Sequence, residues 1–236
     1  MKRAIIYEGP SMLDGAPIVV IATATASNSK TGAVVQTYIL TSSINPLEAS
    51  KTGADKSICG DCPLRGAVTT DPAKKQAAGR ACYVQLSKGP LVVWKAYKRG
   101  FYPVAQDIAA IGRGQIVRLG TYGDPAAVPV HVWRTLLSQS QGWTGYSHQS
   151  GFQPDLVMQS ADNLDAAQGH WAKGARTFRV IRDLAELVAD REILCPASKE
   201  AGYRTTCASC KLCAGTATRS AKSIAIVAHG NGAGFF

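Results

Sequence analysis

Seven cysteines set the chemistry open to this chain of 236 residues, and they fall into two sets. The downstream set is Cys207-Ala208-Ser209-Cys210-Lys211-Leu212-Cys213, with Cys195-Pro196 standing eleven residues before it. A C-x2-C-x2-C run is the ligand pattern of ferredoxin-type iron-sulfur centres, because thiolates spaced in this way wrap a cubane more readily than they face one ion. Cys195 is the expected fourth ligand. The small residues Ala208, Ser209, Ala214 and Gly215 leave backbone N–H groups free to approach the inorganic sulfurs, which tunes such a centre. Zinc is the alternative occupant, since four thiolates also satisfy a tetrahedral ion. Unligated structural thiols are the third reading.

The upstream set is Cys59-Gly60-Asp61-Cys62-Pro63-Leu64-Arg65, followed nineteen residues after Cys62 by Cys82-Tyr83. It offers three ligands, and none of the four histidines (His131, His148, His170, His229) lies near it in sequence. A 4Fe-4S cluster held by three thiolates keeps one iron open to a substrate or cofactor. The seven cysteines then divide into four plus three. The competing reading makes Cys59 and Cys62 loop thiols and Cys82 a small buried hydrophobe.

The elements that must position these residues alternate along the chain. Pro17 to Thr23, Ala33 to Leu40 and Leu91 to Lys95 read as strands, being rich in Val and Ile and bounded by Gly or Pro. Pro103 to Ile111 reads as a helix, Gln115 to Thr121 as a buried strand and Val128 to Ser138 as a helix. A short strand around Trp143-Thr144 precedes a strand at Leu156 to Gln159, a helix at Asn163 to Lys173 and a strand at Thr177 to Ile181. Asp183 to Ala189 reads as a helix, Glu192 to Leu194 as a short strand delivering Cys195, and Ser223 to Ala228 as the last strand. Such alternation implies parallel strands with covering helices. The expected fold is α/β, a partial or irregular parallel (β/α) barrel in a single domain over residues 1–236. A cysteine-containing loop insertion at 41–89 and a cluster-binding segment at 195–215 complete it. A loop near fifty residues without periodicity needs a staple, and metal would supply one. The glycine-rich tail Gly230 to Phe236 reads as loose.

The order of Cys59 to Arg65, Cys82-Tyr83, Val117 to Pro125, Thr144-Gly145-Tyr146-Ser147-His148-Gln149 and the Cys195 to Cys213 set resembles that of a group of uncharacterised, cysteine-rich bacteriophage proteins. More distantly, the arrangement is similar to the radical S-adenosylmethionine enzymes. There a cysteine loop follows an early strand and a Gly-Gly-Glu-Pro-like turn follows a later one. Tyr122-Gly123-Asp124-Pro125 is similar to that turn. The resemblance implies S-adenosylmethionine as a cofactor, with Tyr122, Gly123 and Asp124 near its amino group. The spacing departs from that family, since its C-x3-C-x2-C loop is replaced here by C-x2-C-x19-C.

Asp124, Tyr146 and His148 are the candidate catalytic residues, because barrel chemistry collects at the C-terminal ends of strands. The plainer reading makes Asp124 a turn cap and His148 a hydrogen-bonded structural residue. His131 falls on a helix, packed or solvated. No P-loop, H-E-x-x-H or G-x-S-x-G motif occurs, which disfavours the hydrolases built on them.

Lys and Arg total 26 against 16 Asp and Glu, a formal charge of +10. That bias favours polyanionic partners. Arg65, Lys74, Lys75, Arg80, Lys88, Lys95, Lys98, Arg99, Arg113 and Arg118 accompany Trp94, Tyr97, Phe101 and Tyr102, a composition suited to single-stranded nucleic acid. A solvated basic face over a buried aromatic stripe explains it equally. No apolar run reaches the roughly 18 residues a membrane span requires. Met1 to Glu8 meets an acid too early for a signal peptide. The cysteine spacings suit a reducing compartment. The expectation is a cytoplasmic protein, in the host cytoplasm if phage-encoded, that binds one or two 4Fe-4S clusters as a redox or radical enzyme. The alternative is a zinc-stapled nucleic-acid-binding protein without catalysis.

Overall fold

A computed structural model describes residues 3–23, 30–218, 220–229 and 233–235. The chain opens with an antiparallel meander, β1 (Ala4–Pro10), β2 (Pro17–Thr23) and β3 (Val35–Thr41). The helices α1 (Pro46–Thr52), α2 (Lys56–Cys59), α3 (Gly89–Lys98) and α4 (Ile108–Gly112) follow before the chain returns to the sheet as β4 (Ile116–Tyr122). Then come α5 (Val130–Leu137), β5 (Gly142–Ser147), β6 (Met158–Ala161), α6 (Leu164–Ala172), β7 (Thr177–Ile181), β8 (Glu192–Leu194), α7 (Cys207–Cys210) and β9 (Ser223–Val227).

These nine strands form one sheet in the order β1-β2-β3-β4-β5-β6-β7-β9-β8, parallel at every pairing from β3 onward. The expected α/β class with parallel strands is therefore present, whereas the barrel is not. The sheet stays open, with β1 and β8 as its edges. The β1 edge is covered by the segment before α4, through Ile5 N–H to Pro103 O at 2.9 Å and Ala105 N–H to Ile5 O at 2.9 Å. Covering an edge in this way removes its unpaired backbone groups from solvent.

Several elements differ from expectation for local reasons. Leu91 to Lys95 lies in α3 and is not a strand: Pro90 starts the helix, Val93 and Ala96 are buried three residues apart, and Val92 is exposed. A run of β-formers was overridden by a helical burial period. In Pro103 to Ile111 only the last residues are helical, from the Asp107 cap onward; the rest runs beside β1. Asp183 to Ala189 shrinks to one 3-10 turn, Leu184–Glu186. The strand expected at Leu156 to Gln159 begins two residues later, at Met158. Residues 41–89 carry α1, α2 and a 3-10 turn at Pro63–Arg65, so this insertion is not structureless. Of the tail Gly230 to Phe236, residues 230–232 and Phe236 lie outside the described residues, as do Met1 and Lys2.

Two cores hold the sheet. The larger packs Ile18 to Ala22 of β2, Ile39 and Leu40 against Val117, Leu119, Trp133 and Leu136, all fully or almost fully buried. The smaller joins Met158, Ile224 and Ile226 to Cys195 and Cys213, with Tyr146, Phe178 and Val180 against them. Within the larger core, β4 carries a bulge. Gly120 adopts φ +62°, a left-handed conformation, and a Cβ there would meet Gly123 O at 2.5 Å, so only glycine fits. Thr37 Oγ1 fills the gap, donating to Arg118 O and accepting from Gly120 N–H, each at 2.9 Å.

Candidate metal centre

Strand β8 ends one residue before Cys195, and Cys195 N–H continues the ladder to Ala225 O at 2.8 Å. A buried ion pair fixes β8 against β7: Arg179 Nε donates to Glu192 Oε1 at 2.8 Å and Nη2 to Oε2 at 2.6 Å, with both side chains almost wholly excluded from water. The short helix α7 carries Cys207 and Cys210 and docks on the β2–β3 connection, through Cys207 N–H to Lys30 O at 3.1 Å and Ala208 N–H to Thr31 O at 2.9 Å. Lys211, at φ +57°, ends it and turns the chain toward Cys213. Gly145 N–H of β5 then holds Cys213 O at 2.9 Å. Arg176 secures the following turn by donating to Leu212 O and Gly215 O at 2.8 and 2.6 Å.

The result is one small, partly open pocket with a volume of about 20 Å³, lined by Cys195, Cys207, Cys210 and Cys213 together with Thr144 and Tyr146 of β5. All four expected ligands thus line the same pocket. Burial pushes the thiols of Cys195 and Cys207 up, and that of Cys213 up to about 12. Buried thiols of this kind stay protonated until a cation displaces the protons, which couples metal loading to proton release. The Tyr146 hydroxyl faces the Cys213 thiol and offsets part of that rise. Arg118 and Lys30 face Cys207 and favour its thiolate.

The upstream set is assembled by backbone bonds. Cys82 N–H reaches Leu64 O at 3.0 Å, and a bridge between Ala67 and Ala78 closes the excursion between them. Arg65 holds the α2 loop from within: it pairs with buried Asp55 and donates to Gly60 O at 3.1 Å and Gly53 O at 2.9 Å. Arg80 clamps the Cys82 segment through Cys82 O at 3.1 Å and Val84 O at 2.8 Å. Just past β5, Gln149 Nε2 donates to Cys59 O at 3.2 Å. Burial pushes the Cys59 thiol up, and Asp55, Cys82 and Cys62 add to the effect. Cys59, Cys62 and Cys82 thus share one electrostatic neighbourhood, and it sits at the C-terminal ends of β4 and β5. Sequence reading missed Arg65, Asp55 and Gln149 as organisers of this loop. An arginine three residues after C-x2-C was their visible trace.

The candidate catalytic residues divide. Both oxygens of Asp124 are engaged, accepting from Ala126 N–H at 2.9 Å, Ser147 Oγ at 2.7 Å and His148 N–H at 2.8 Å. Asp124 therefore ties the end of β4 to the end of β5, the turn-cap role. Its own N–H holds Ile58 O of α2 at 2.6 Å. Gly123 admits that approach, because a Cβ there would meet Ile39 Cβ at 2.7 Å. The turn Tyr122-Gly123-Asp124 is thus the seat of the cysteine helix. His148 Nε2 lies 3.3 Å from Asp162 Oδ1. Burial alone would lower its imidazole, but Asp162 and the nearby Cys62 thiol carry it up to about 10. Asp162, just past β6, was absent from the sequence reading. Tyr146 belongs to the four-cysteine pocket. His131 is exposed on α5.

The basic segment divides too. Arg65 and Arg80 are spent on the cysteine loop, and Arg118 lies on the sheet face beside Cys207. Trp94 donates to Thr41 O at 3.0 Å and Tyr97 to Glu8, so both are committed to packing. Phe101 is exposed with Arg3 over its ring at 4.5 Å.

Among the described residues, no three His, Cys, Asp or Glu side chains stand close enough to hold a metal ion between them. No helix among them is long and apolar enough to cross a membrane. Set against protein-family models, curated proteins and solved structures, the chain matches none.

Proposed function

We propose that this protein carries a 4Fe-4S cluster on Cys195, Cys207, Cys210 and Cys213, and a second, more reactive cluster on Cys59, Cys62 and Cys82. The observation that carries the reading is the pocket into which four cysteines converge from two sequence segments. A cubane gives each thiolate its own iron, so it needs donors spread around a small volume and not crowded about one ion. Three cysteines at the C-terminal ends of parallel strands leave one iron for a substrate, and redox or radical chemistry is what such an iron supplies.

The test is anaerobic purification followed by iron, sulfide and zinc determination. About four iron and four sulfide per chain are expected for one cluster and about eight of each for two. Stoichiometric zinc without acid-labile sulfide overturns the reading.

A further inference from the structure

None of the histidines is near the upstream cysteines in sequence, but the fold brings one of them to that set. His148 is the first residue after β5, and the turn it begins is pressed onto the loop that carries Cys59 and Cys62. Its neighbour Gln149 spans that loop, donating to Cys59 O at 3.2 Å and accepting from Asp61 N–H at 3.5 Å. The two segments leave no room between them, since a Cβ on Gly60 would collide with the Gln149 amide. Asp124 ties both down: its carboxylate accepts from His148 N–H at 2.8 Å, and its own N–H donates to Ile58 O at 2.6 Å. His148 and the cysteine loop are thus fixed to one turn, and the Cys62 thiol stands beside the imidazole.

The ring is set up as a ligand would be. Nε2 lies 3.3 Å from Asp162 Oδ1, and only 19% of the His148 side chain is exposed. A histidine that binds metal almost always gives its other ring N–H to a carboxylate or carbonyl, which fixes the tautomer and makes the ligating nitrogen more basic. With Nε2–H directed at Asp162, Nδ1 carries the lone pair that a metal takes. The other histidines are placed differently. His131 and His170 lie on α5 and α6. His229 stands against Tyr83, next to Cys82, but its ring nitrogens already face Lys30 Nζ at 3.3 Å and Val227 O at 2.8 Å.

We propose that His148 is the fourth ligand of the upstream centre, with Asp162 as its positioning residue. The seven cysteines and this histidine then make two complete sets of four donors. The proposal rests on the reading of Cys59, Cys62 and Cys82 as a metal centre, but not on which metal fills it, because three thiolates and an imidazole suit a cluster and a tetrahedral zinc alike. Among the described residues no three donors stand within reach of one ion, so loading has to draw the cysteine loop onto the ring. A neutral imidazole holds cluster iron less tightly than a thiolate, so the place it fills is the one a substrate would take.

The test uses the anaerobically purified full chain with a heavy nitrogen isotope in histidine alone, reduced with dithionite and read by pulsed electron paramagnetic resonance. A histidine nitrogen coupling should appear in the wild type, persist in His229→Ala and vanish in His148→Ala and in the more conservative His148→Gln. Asp162→Asn should keep the coupling but weaken retention of the metal against a chelator by about 10–100-fold. If the upstream set takes zinc, cobalt put in its place reads the same assignment: its visible bands should move in His148→Ala as nitrogen gives way to water. Zinc with that change upholds His148 and removes the cluster reading. Iron there without a histidine coupling, or with one that survives both His148 variants, overturns the proposal and leaves the cluster reading standing. Zinc with unmoved cobalt bands overturns both, as does metal confined to the four-cysteine pocket.

Discussion

Glu192→Ala is the sharpest test of how the four-cysteine pocket is held. Glu192 begins β8, three residues before Cys195, and receives both the Nε and Nη2 donors of Arg179 as well as Val188 N–H at 3.1 Å. Both charges are out of water. Removing one partner of a buried pair leaves the other uncompensated and costs about 3–5 kcal/mol, a fifth or more of the roughly 5–15 kcal/mol that holds an average domain. Glu186 provides the internal control. It stands 3.9 Å from Arg179 with its side chain 40% exposed, so Glu186→Ala should cost at most about 1 kcal/mol. Replacing both Arg179 and Glu192 by Met should recover most of the loss, because the desolvation penalty disappears with the charges. Urea unfolding of the three variants beside the wild type supplies the energies, and iron per chain reports whether β8 still presents Cys195. The expected order is a large loss of both stability and iron for Glu192→Ala, little change for Glu186→Ala, and near-recovery of stability for the double variant. Equal costs for Glu192→Ala and Glu186→Ala would refute the argument that this pair secures the strand.

Cys210→Ser replaces one thiolate by a far weaker ligand, and iron content and thermal stability should fall together because loading and local folding are linked; full iron with full stability refutes the four-cysteine site. Brief exposure to air should remove the three-cysteine centre first, since an iron without a thiolate is the exchangeable one. Iron counting before and after should lose about one cluster, and equal loss from both sites counts against the division into four and three. Burial and Lys173 lower the His170 imidazole from its ordinary 6.5, so the folded state disfavours its charge. Its contribution is present above the unfolded value and is lost as pH falls through the folded one. Wild type should therefore lose more stability than His170→Gln on going from about pH 7.5 to about pH 5, as urea midpoints at the two pH values will show.

The sequence displayed the convergent cysteines more clearly than the frame. Cys195 and the Cys207 to Cys213 run were readable from spacing alone, as were β2, β4, α5, α6 and β7, whose patterns are local. What was hidden is non-local. The sheet's openness depends on how β1 and β8 meet their surroundings, and neither strand encodes that. Leu91-Val92-Val93 carries strand formers, but its neighbours on β3 bury only one face of it, and that makes it helical. Asp124 was visible as a turn residue, while its bonds to Ser147 and His148 required the parallel pairing of β4 with β5. Arg118 looked like part of a basic run, and only the sheet register brings it beside Cys207. Charge along a sequence says little about which face of a strand will carry it.

The docking of α7 on Lys30 and Thr31 also has a meaning in time. The three-cysteine neighbourhood is built from residues 55–149, so it is complete once β5 and the turn after it exist. The four-cysteine pocket needs the β2–β3 connection, β5, β8, α7 and Ile224 of β9 together. Contacts so distant in sequence form late, after shorter loops have closed. During synthesis the chain therefore passes through a stage in which the three-cysteine neighbourhood is built while the four-cysteine pocket is not. On the proposed cluster reading, inorganic sulfur and iron are then delivered in two separate episodes.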